Sequence, residues 1–223
     1  MLANQMFPAA LGVFIIVLVQ DLGFAALLWG IIQFAPRIFD AVTDPLMGFI
    51  SDNTKSKWGR RRQYVFVGGI LMGLAYVAMW QLYEDDGIIY NFIYFFSWSL
   101  VFYLGLTIFS VPYVAMGYEI SDDFHERTQI MAIAQFIGQW AWVIAPWFWV
   151  ILYDPAWFPD GAGQGVRDLS IWVAIPCTIF AIIPAIFIKS KSTLDRKDFL
   201  PVNSSYISKS IKGIFISAFE AFK

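Results

Sequence analysis

The chain has 223 residues, of which 59% are hydrophobic and 14% charged, and its formal net charge is −2. This composition is typical of an integral membrane protein, and no nucleic-acid partner is expected. A single cysteine, Cys177, and a single histidine, His125, exclude a disulfide framework, a thiolate metal cluster and a histidine-based triad. We therefore expect neither an organic cofactor nor an enzyme activity.

Apolar stretches predict an all-α, polytopic protein with six transmembrane helices. Each stretch is near or above the ~20 residues that a membrane crossing needs. The predicted spans are Leu2 to Gln20, Leu22 to Ile50, Tyr64 to Leu82, Ile88 to Tyr118, Ile130 to Leu152 and Leu169 to Ile188. We expect residues 1–189 to form one six-helix bundle in the lipid bilayer.

The distribution of lysine and arginine predicts the orientation of the chain. Basic residues follow the second, fourth and sixth spans, and they include Lys55, Lys57, Arg60, Arg61, Arg62, Arg127 and Lys189. The opposite connections are acidic, with Arg167 as their only basic residue. By the positive-inside rule, the basic connections face the cytoplasm. The prediction is a multi-pass inner-membrane protein with both termini in the cytoplasm.

The composition changes after the sixth span, where residues 190–223 become polar and then amphipathic. Ile207, Ile211 and Phe215 recur on one helical face, while Lys209 and Lys212 lie elsewhere. This pattern predicts an amphipathic helix on the cytoplasmic membrane surface, or a segment leading to a further span.

The second span carries three charges within an otherwise apolar helix. Arg37, Asp40 and Asp44 are three and four residues apart, so they share one face. At ~1.5 Å per residue, Asp44 and Asp40 lie ~12 Å and ~18 Å from Asp52, near the middle of a ~30 Å hydrocarbon core. Such carboxylates usually mark an ion or substrate pathway. The alternative is an Arg37–Asp40 ion pair that only fixes helix packing, which leaves Asp44 without a partner.

Helices four and five each have a polar side. Tyr103, Thr107 and Ser110 recur at helical spacing in helix four, and Gln135 and Gln139 are one turn apart in helix five. These side chains either join helices by hydrogen bonds or line a pathway. Tryptophans gather toward the predicted outer end of helices five and six, at positions Trp140, Trp142, Trp147, Trp149, Trp157 and Trp172. They indicate an interfacial aromatic belt or, for Trp140, a stacking surface for a sugar ring.

Two motifs resemble a known transporter family. The run from Asp40 to Asp52, followed by Trp58, Gly59 and three arginines, resembles the glycoside/pentoside/hexuronide:cation symporters of the major facilitator superfamily, the family of the melibiose permease. The segment from Val111 to Arg127 is similar to that family's junction between helices four and five. The resemblance covers the chain as an amino-terminal six-helix half, and it implies a missing carboxy-terminal six-helix half as partner.

The resemblance implies a site for a coupling cation. The family's two helix-two aspartates correspond to Asp40 and Asp44, and its helix-four threonine corresponds to Thr107. Ser110 stands where the family has an acidic residue. Two carboxylates and two hydroxyls suit a hard Na⁺ ion, and proton coupling through one aspartate is equally compatible. The expected coupling cation is therefore Na⁺ or H⁺.

The resemblance, together with the polar and aromatic patterns of the helices, predicts a substrate site. Its candidate residues are Asn4, Gln5, Arg37, Tyr113, Gln135, Gln139 and Trp140. Two positions that are charged in sugar-binding members, an acidic one in helix one and an arginine in helix five, are amides here. Amides still hydrogen-bond hydroxyl groups, so a sugar or glycoside remains the expected substrate.

The basic loop after helix two resembles the superfamily's cytoplasmic gate, in which a helix-two aspartate pairs with arginine to hold the outward-open state. The corresponding residues are Gly48, Asp52, Gly59, Arg60, Arg61 and Arg62. Gly48 is expected to permit close helix approach. Alternatively the arginines act only as positive-inside determinants that contact anionic lipid, but this does not explain Asp52.

Together these features predict one half of a secondary transporter that couples a cation to the symport of a sugar or glycoside. One alternative is H⁺-coupled transport of a non-sugar organic solute. Another is a Mg²⁺-dependent membrane prenyltransferase, with Asp40 and Asp44 as one acidic motif and Asp122, Asp123 and Glu126 as the second. A purely structural or receptor role is the remaining alternative.

Overall fold

A computed structural model describes residues 1–159 and 161–188 of the chain. Within these residues it contains six α-helices, which agrees with the predicted all-α class. They are α1 (Leu2–Gln20), α2 (Ala26–Asp52), α3 (Arg62–Met79), α4 (Ile88–Tyr118), α5 (Phe124–Leu152) and α6 (Ala162–Phe187), with a 3-10 turn at Glu84–Asp86. The helix predicted in residues 190–223 lies outside the described residues.

Five of these helices are long and apolar enough to cross a membrane, and α2 is the exception. Its hydropathy is lower because Arg37, Asp40 and Asp44 lie inside it. With 27 residues, α2 is nevertheless ~40 Å long, which exceeds a ~30 Å hydrocarbon core. Hydropathy therefore supports five of the six predicted spans. The sixth, α2, is long enough to cross the membrane, but its charges lower its hydropathy.

The helix ends follow local capping rather than hydropathy. Gly23 has φ +67, and the backbone N–H of Phe24 donates to the carbonyl of Leu18 at 3.0 Å, so α1 ends before α2 begins at Ala26. Asp123 caps α5, which therefore starts six residues before the predicted Ile130. Hydropathy marks the apolar part of a helix, whereas capping marks where the helix begins.

Helix α3 packs against α4 and α6, α1 packs against α5 and α6, and α2 packs against α4. Aromatic side chains fill the centre of the bundle. Phe7 meets Tyr76 at a ring-centroid distance of 4.9 Å, and Phe14 meets Trp80 at 5.4 Å, both edge to face. These rings are fully buried. Such ring contacts link α1 to Tyr76 of α3 and to Trp80, the residue that follows α3.

Glycines allow the close crossing of α3 and α4. A Cβ atom at Gly68 would lie 2.5 Å from the backbone nitrogen of Phe109, and one at Gly105 would lie 2.8 Å from that of Met72. A Cβ at Gly48 would instead lie 3.8 Å from Val111, which is an ordinary contact. Gly48 therefore makes no unusually close contact with α4, and its expected role in the gate stays a prediction.

Helices α2 and α5 expose much of their surface. On α2, Leu27 and Phe34 are 75% and 67% exposed, and on α5, Phe136 and Trp147 are 66% and 65% exposed. Each helix packs mainly on one neighbour, α4 for α2 and α1 for α5. The bundle thus leaves wide apolar surfaces that lipid or further protein must cover.

Candidate functional site

A polar stripe runs along the open side of α2. Gln33, Arg37, Asp40 and Asp44 follow one another at intervals of four, three and four residues, so they share one face. Gln33 was not a sequence candidate, although its position one turn before Arg37 was a usable signal. The stripe lies beside the face that α2 packs against α4, because Ile32, Pro36 and Met47 are buried there.

Asp44 is joined to α4 by a hydrogen bond. The hydroxyl of Thr107 donates to Asp44 Oδ1 at 2.8 Å, and Thr107 is only 4% exposed. The hydroxyl of Thr43 lies 3.5 Å from that of Thr107 and donates to the carbonyl of Phe39 at 3.1 Å. Thr43 is thus a further hydroxyl beside the carboxylate, from within the motif around Asp40 and Asp44.

Asp40 has a looser environment. Its Oδ2 lies 3.9 Å from Arg37 Nη1, while its Oδ1 is buried without a hydrogen-bond partner among the described residues. The Arg37 side chain is 70% exposed, and its guanidinium carbon lies 5.9 Å from the centre of the Tyr103 ring. The Arg37–Asp40 pair forms, but it leaves one carboxylate oxygen unsatisfied. Packing alone does not explain such an oxygen.

Ser110 does not join this group. Among the described residues, no hydrogen bond connects it to Asp40 or Asp44, although it lies on α4 one turn beyond Thr107. The structure therefore brings together Asp44, Thr107 and Thr43, with Asp40 one turn away on the same face. Carboxylate and hydroxyl oxygens of this kind can bind a hard monovalent cation, and a carboxyl group can alternatively carry a proton.

A second polar surface lies where α1 meets α5. The indole N–H of Trp142 donates to Gln5 Oε1 at 3.2 Å. Gln135, Gln139 and Trp142 are spaced four and three residues apart, so they share one face of α5. The structure thus joins Gln5 to the face that bears the two predicted glutamines. Trp142 was missed as a site residue, although its position seven residues after Gln135 was a usable signal.

Among the described residues, three other substrate candidates make no hydrogen bond to Gln5, Gln135 or Gln139. Trp140 is 51% exposed and is two residues from Trp142, on another side of α5, where it meets Phe136 edge to face. Within the described part of the chain, the amide nitrogen of Asn4 makes one long contact, 4.0 Å, with the sulfur of Met1. Tyr113 stacks on Phe109 and lines a small cavity between α4 and α5.

The basic loop and the end of α4 form a charged cluster at the end of the bundle. Arg61, 8% exposed, donates from Nε to Asp52 Oδ1 at 3.1 Å, and its Nη1 lies 2.9 Å from Glu119 Oε2. Arg60 also pairs with Glu119. We call these four residues the Arg61 cluster. Glu119 was not a sequence candidate, although it lies within the family-like segment from Val111 to Arg127.

The other predicted gate residues have different surroundings. Arg62 lies outside the Arg61 cluster: its Nε donates to the carbonyl of Ala185 at 2.7 Å and its Nη2 to that of Ile186 at 2.9 Å. It therefore satisfies carbonyl groups at the carboxyl end of α6, where cations are favoured. Gly59 has φ +89, which only glycine adopts readily, and so shapes the loop before Arg60.

The second acidic motif has a structural role. Asp123 Oδ1 accepts hydrogen bonds from the backbone N–H groups of His125 at 2.7 Å and Glu126 at 3.0 Å, which is an N-cap of α5. The Glu126 carboxylate accepts a hydrogen bond from the hydroxyl of Ser121 at 2.7 Å. Two of the three acidic residues of this motif, Asp123 and Glu126, thus have local structural contacts, and Asp123 caps α5.

At the opposite end of the bundle, α5 is tied to α1. The phenol of Tyr153 donates to Asp21 Oδ2, 2.9 Å away, and lies 3.3 Å from Gln20 Oε1. Partial burial, with the hydrogen bond and the charge of Asp21, raises the pKa of Tyr153 to about 12. The phenol therefore stays protonated, and the tie persists across the physiological pH range.

These long apolar helices define a multi-pass membrane protein. Comparison with known proteins gives its family. The chain belongs to the MFS/sugar transport protein family, whose sequence pattern matches residues 1–208. This membership agrees with the resemblance found in the two motifs. By its description the family consists of transport proteins, which agrees with the expected transporter class.

Curated relatives are symporters and permeases. An uncharacterized symporter of Synechocystis is 28% identical over 69% of the present chain. YagG of Escherichia coli, a candidate glycoside/cation symporter, is 32% identical over 52% of the present chain. The lactose permease of Leuconostoc lactis is 26% identical over 80% of the present chain. The matched regions span 29%, 25% and 28% of those three relatives. The chain thus covers less than a third of each.

Proposed function

We propose that this chain is the amino-terminal half of a cation-coupled symporter for a sugar or glycoside. The observation that carries the proposal is the group of oxygens formed by Asp44, Thr107 and Thr43, with the unsatisfied Oδ1 of Asp40 one turn away. It lies beside an exposed arginine on a helix that is otherwise apolar. A charged stripe of this kind is costly in a membrane unless it faces water, an ion or a substrate.

In this proposal the cation binds first between α2 and α4. It neutralises the carboxylates of Asp40 and Asp44 and orders the two helices against each other. The substrate then binds across the amides of Gln5, Gln135 and Gln139, whose donors and acceptors suit hydroxyl groups. Because binding free energies are linked, each ligand raises the affinity for the other.

A carboxy-terminal half completes the transporter in this proposal. Alternating access in such proteins requires two bundles that move about a site between them. The open faces of α2 and α5, with Arg37, Gln139 and Trp140 exposed on them, supply a surface for the second bundle. The short coverage of the curated relatives supports the same view.

The test is uptake of a panel of radiolabelled glycosides by the longest natural frame that encodes this chain, with and without a Na⁺ gradient. Asp40→Asn and Asp44→Asn are each expected to abolish cation-stimulated uptake while membrane insertion is unchanged, because a neutral amide cannot balance the cation. Asp86→Asn, in the exposed 3-10 turn, is the matched control and should behave as the natural protein. Cation stimulation that persists in both helix-two variants would refute the cation site.

A second candidate function is H⁺-coupled transport of a non-sugar organic solute. It is favoured by the buried, unpartnered Oδ1 of Asp40, which a proton would turn into a neutral carboxyl group. Uptake that makes the medium more alkaline and does not depend on Na⁺ would support this function. Stimulation by Na⁺ without proton movement would select the first.

A further inference from the structure

A cavity of about 550 Å³ opens on the side of the bundle where α5 ends and α6 begins. Its walls include Ile151 of α5, Trp157 and Phe158 of the connection, and Asp168, Trp172 and Ile175 of α6. We call it the Trp172 groove. It belongs neither to the polar stripe of α2 nor to the Arg61 cluster, and nothing in the proposed transport mechanism uses it.

The residues of α6 that line the groove are ordered by polarity. Asp168, Trp172 and Ile175 are spaced four and three residues apart, so they form one column along the helix. At ~1.5 Å per residue they lie ~9, ~15 and ~20 Å from the first residue of α6. The column therefore runs from a carboxylate near the helix start, through an indole, to an aliphatic side chain toward the middle of the membrane.

Asp168 is the charged member of the described lining, and its carboxylate is unengaged. Among the described residues it takes part in no hydrogen bond or ion pair, although it is half-buried. Its neighbour Arg167 does not neutralise it, because that guanidinium donates to the carbonyl of Leu82 at 2.7 Å and lies over the ring of Tyr83 at 4.6 Å. A carboxylate among apolar walls is a site for a cationic group.

Trp157 and Trp172, 68% and 72% exposed, add two large aromatic surfaces to the groove. Tryptophan is the side chain whose ring face attracts ammonium groups most strongly. Tryptophan also favours the interface between hydrocarbon and head groups. A ligand for this groove should therefore carry an ammonium group at one end and an apolar body at the other.

We propose that the Trp172 groove binds a zwitterionic phospholipid with an ammonium head group. The ammonium lies at Asp168 and against the tryptophan rings, and an acyl chain lies along Trp172 and Ile175. The bilayer supplies this ligand, because α6 is long and apolar enough to cross a membrane and Trp172 and Ile175 are exposed on its surface. The order of polarity along α6 matches that of such a lipid from head group to tail.

The test is native mass spectrometry of the natural full-length protein in micelles that contain phosphatidylethanolamine and phosphatidylglycerol at equal mole fraction. We expect about fivefold preferential retention of phosphatidylethanolamine, equivalent to ~1 kcal/mol for a partly exposed ion pair. Asp168→Asn should reduce the preference to near unity, and Asp168→Glu should keep it. Asp86→Asn, an acidic control at the same end of the bundle, should not change it.

A variant that fills the groove tests the acyl-chain part of the proposal. Ile175→Trp keeps Asp168 but occupies the space below it, so retention of phosphatidylethanolamine should fall to that of phosphatidylglycerol. Equal retention of the two lipids by the natural protein would overturn the proposal and indicate annular lipid only. A preference for phosphatidylethanolamine that survives Asp168→Asn would also overturn the proposal. So would a lipid-free dimer that Ile175→Trp disrupts, because a second copy of the chain would then occupy the groove.

Discussion

Thr107 of α4 positions the carboxylate of Asp44 of α2 through a hydrogen bond from its hydroxyl. A hydrogen bond to an ionised group contributes about 1.5–3 kcal/mol. The donor is buried while the carboxylate is exposed, so the oxygen is oriented without being sealed from the open face of α2. In the proposed mechanism, the cation therefore meets a carboxylate that is already fixed in place.

Thr107→Val removes this donor while preserving the shape of the side chain. The variant is expected to raise the cation concentration for half-maximal uptake at least about tenfold, because an oriented ligand is lost. Ser110→Ala is the control and should change it less than twofold, since Ser110 makes no hydrogen bond to either aspartate within the described part of the chain. An unchanged half-maximal concentration in Thr107→Val would contradict a role for the hydroxyl.

Arg61 neutralises two carboxylates from different helices, Asp52 of α2 and Glu119 at the end of α4. Arg61→Met leaves both without this partner and should lower stability by ~2 kcal/mol, measured as a fall of several degrees in the thermal midpoint in detergent. Arg61→Lys should restore little, because a single ammonium cannot reproduce the planar guanidinium contacts. Lys57→Met, on the exposed part of the same loop, should leave the midpoint unchanged. A full rescue by lysine would show that only charge matters.

Helix α3 and helix α4 touch backbone to backbone, and this crossing makes the bundle compact at its centre. The contact depends on the missing side chains of Gly68 and Gly105, which face Phe109 and Met72 respectively. Small residues at a helix crossing are the usual means of close packing in membranes, where no hydrophobic force drives one helix toward another.

Gly68→Ala should push the two helices apart, because the added methyl group would collide with backbone that cannot rotate away. The expected loss is about 1–3 kcal/mol, seen as a lower thermal midpoint. Gly48→Ala adds the same methyl group at a crossing with room for it and should cost less than about 0.5 kcal/mol. Equal losses in the two variants would contradict the close crossing as the cause, because helix propensity alone favours alanine over glycine at both positions.

The molecule as a whole has basic connections at one end and acidic connections at the other, and its orientation in the membrane is still a prediction. Single cysteines introduced at Asp86 and Lys57 test it in intact cells, because the natural Cys177 is only 5% exposed. An impermeant maleimide should label Asp86→Cys from outside and label Lys57→Cys only after permeabilisation. The reverse pattern would place the Arg61 cluster outside and exclude a cytoplasmic gate.

Much of this protein follows from the sequence alone, because helix formation and helix faces are local properties. The bounds of α1 and α4 agree with the predicted spans, and periodicity alone put Arg37, Asp40 and Asp44 on one face. The motif around the two aspartates carried enough specific residues to indicate the family. Helix starts were less accurate, since a cap such as Asp123 lies outside the apolar stretch.

Only the tertiary structure decided which helices meet, because pairing depends on contacts between residues distant in the chain. Periodicity could not predict that Thr107 rather than Ser110 reaches Asp44, or that Trp142 rather than Trp140 meets Gln5. Residues two apart point to different sides of a helix, and residues three apart contact different parts of the neighbouring helix. Which side chains they contact depends on residues distant in the sequence. The same reason separates Arg61, which joins two acidic side chains, from Arg62, which caps α6.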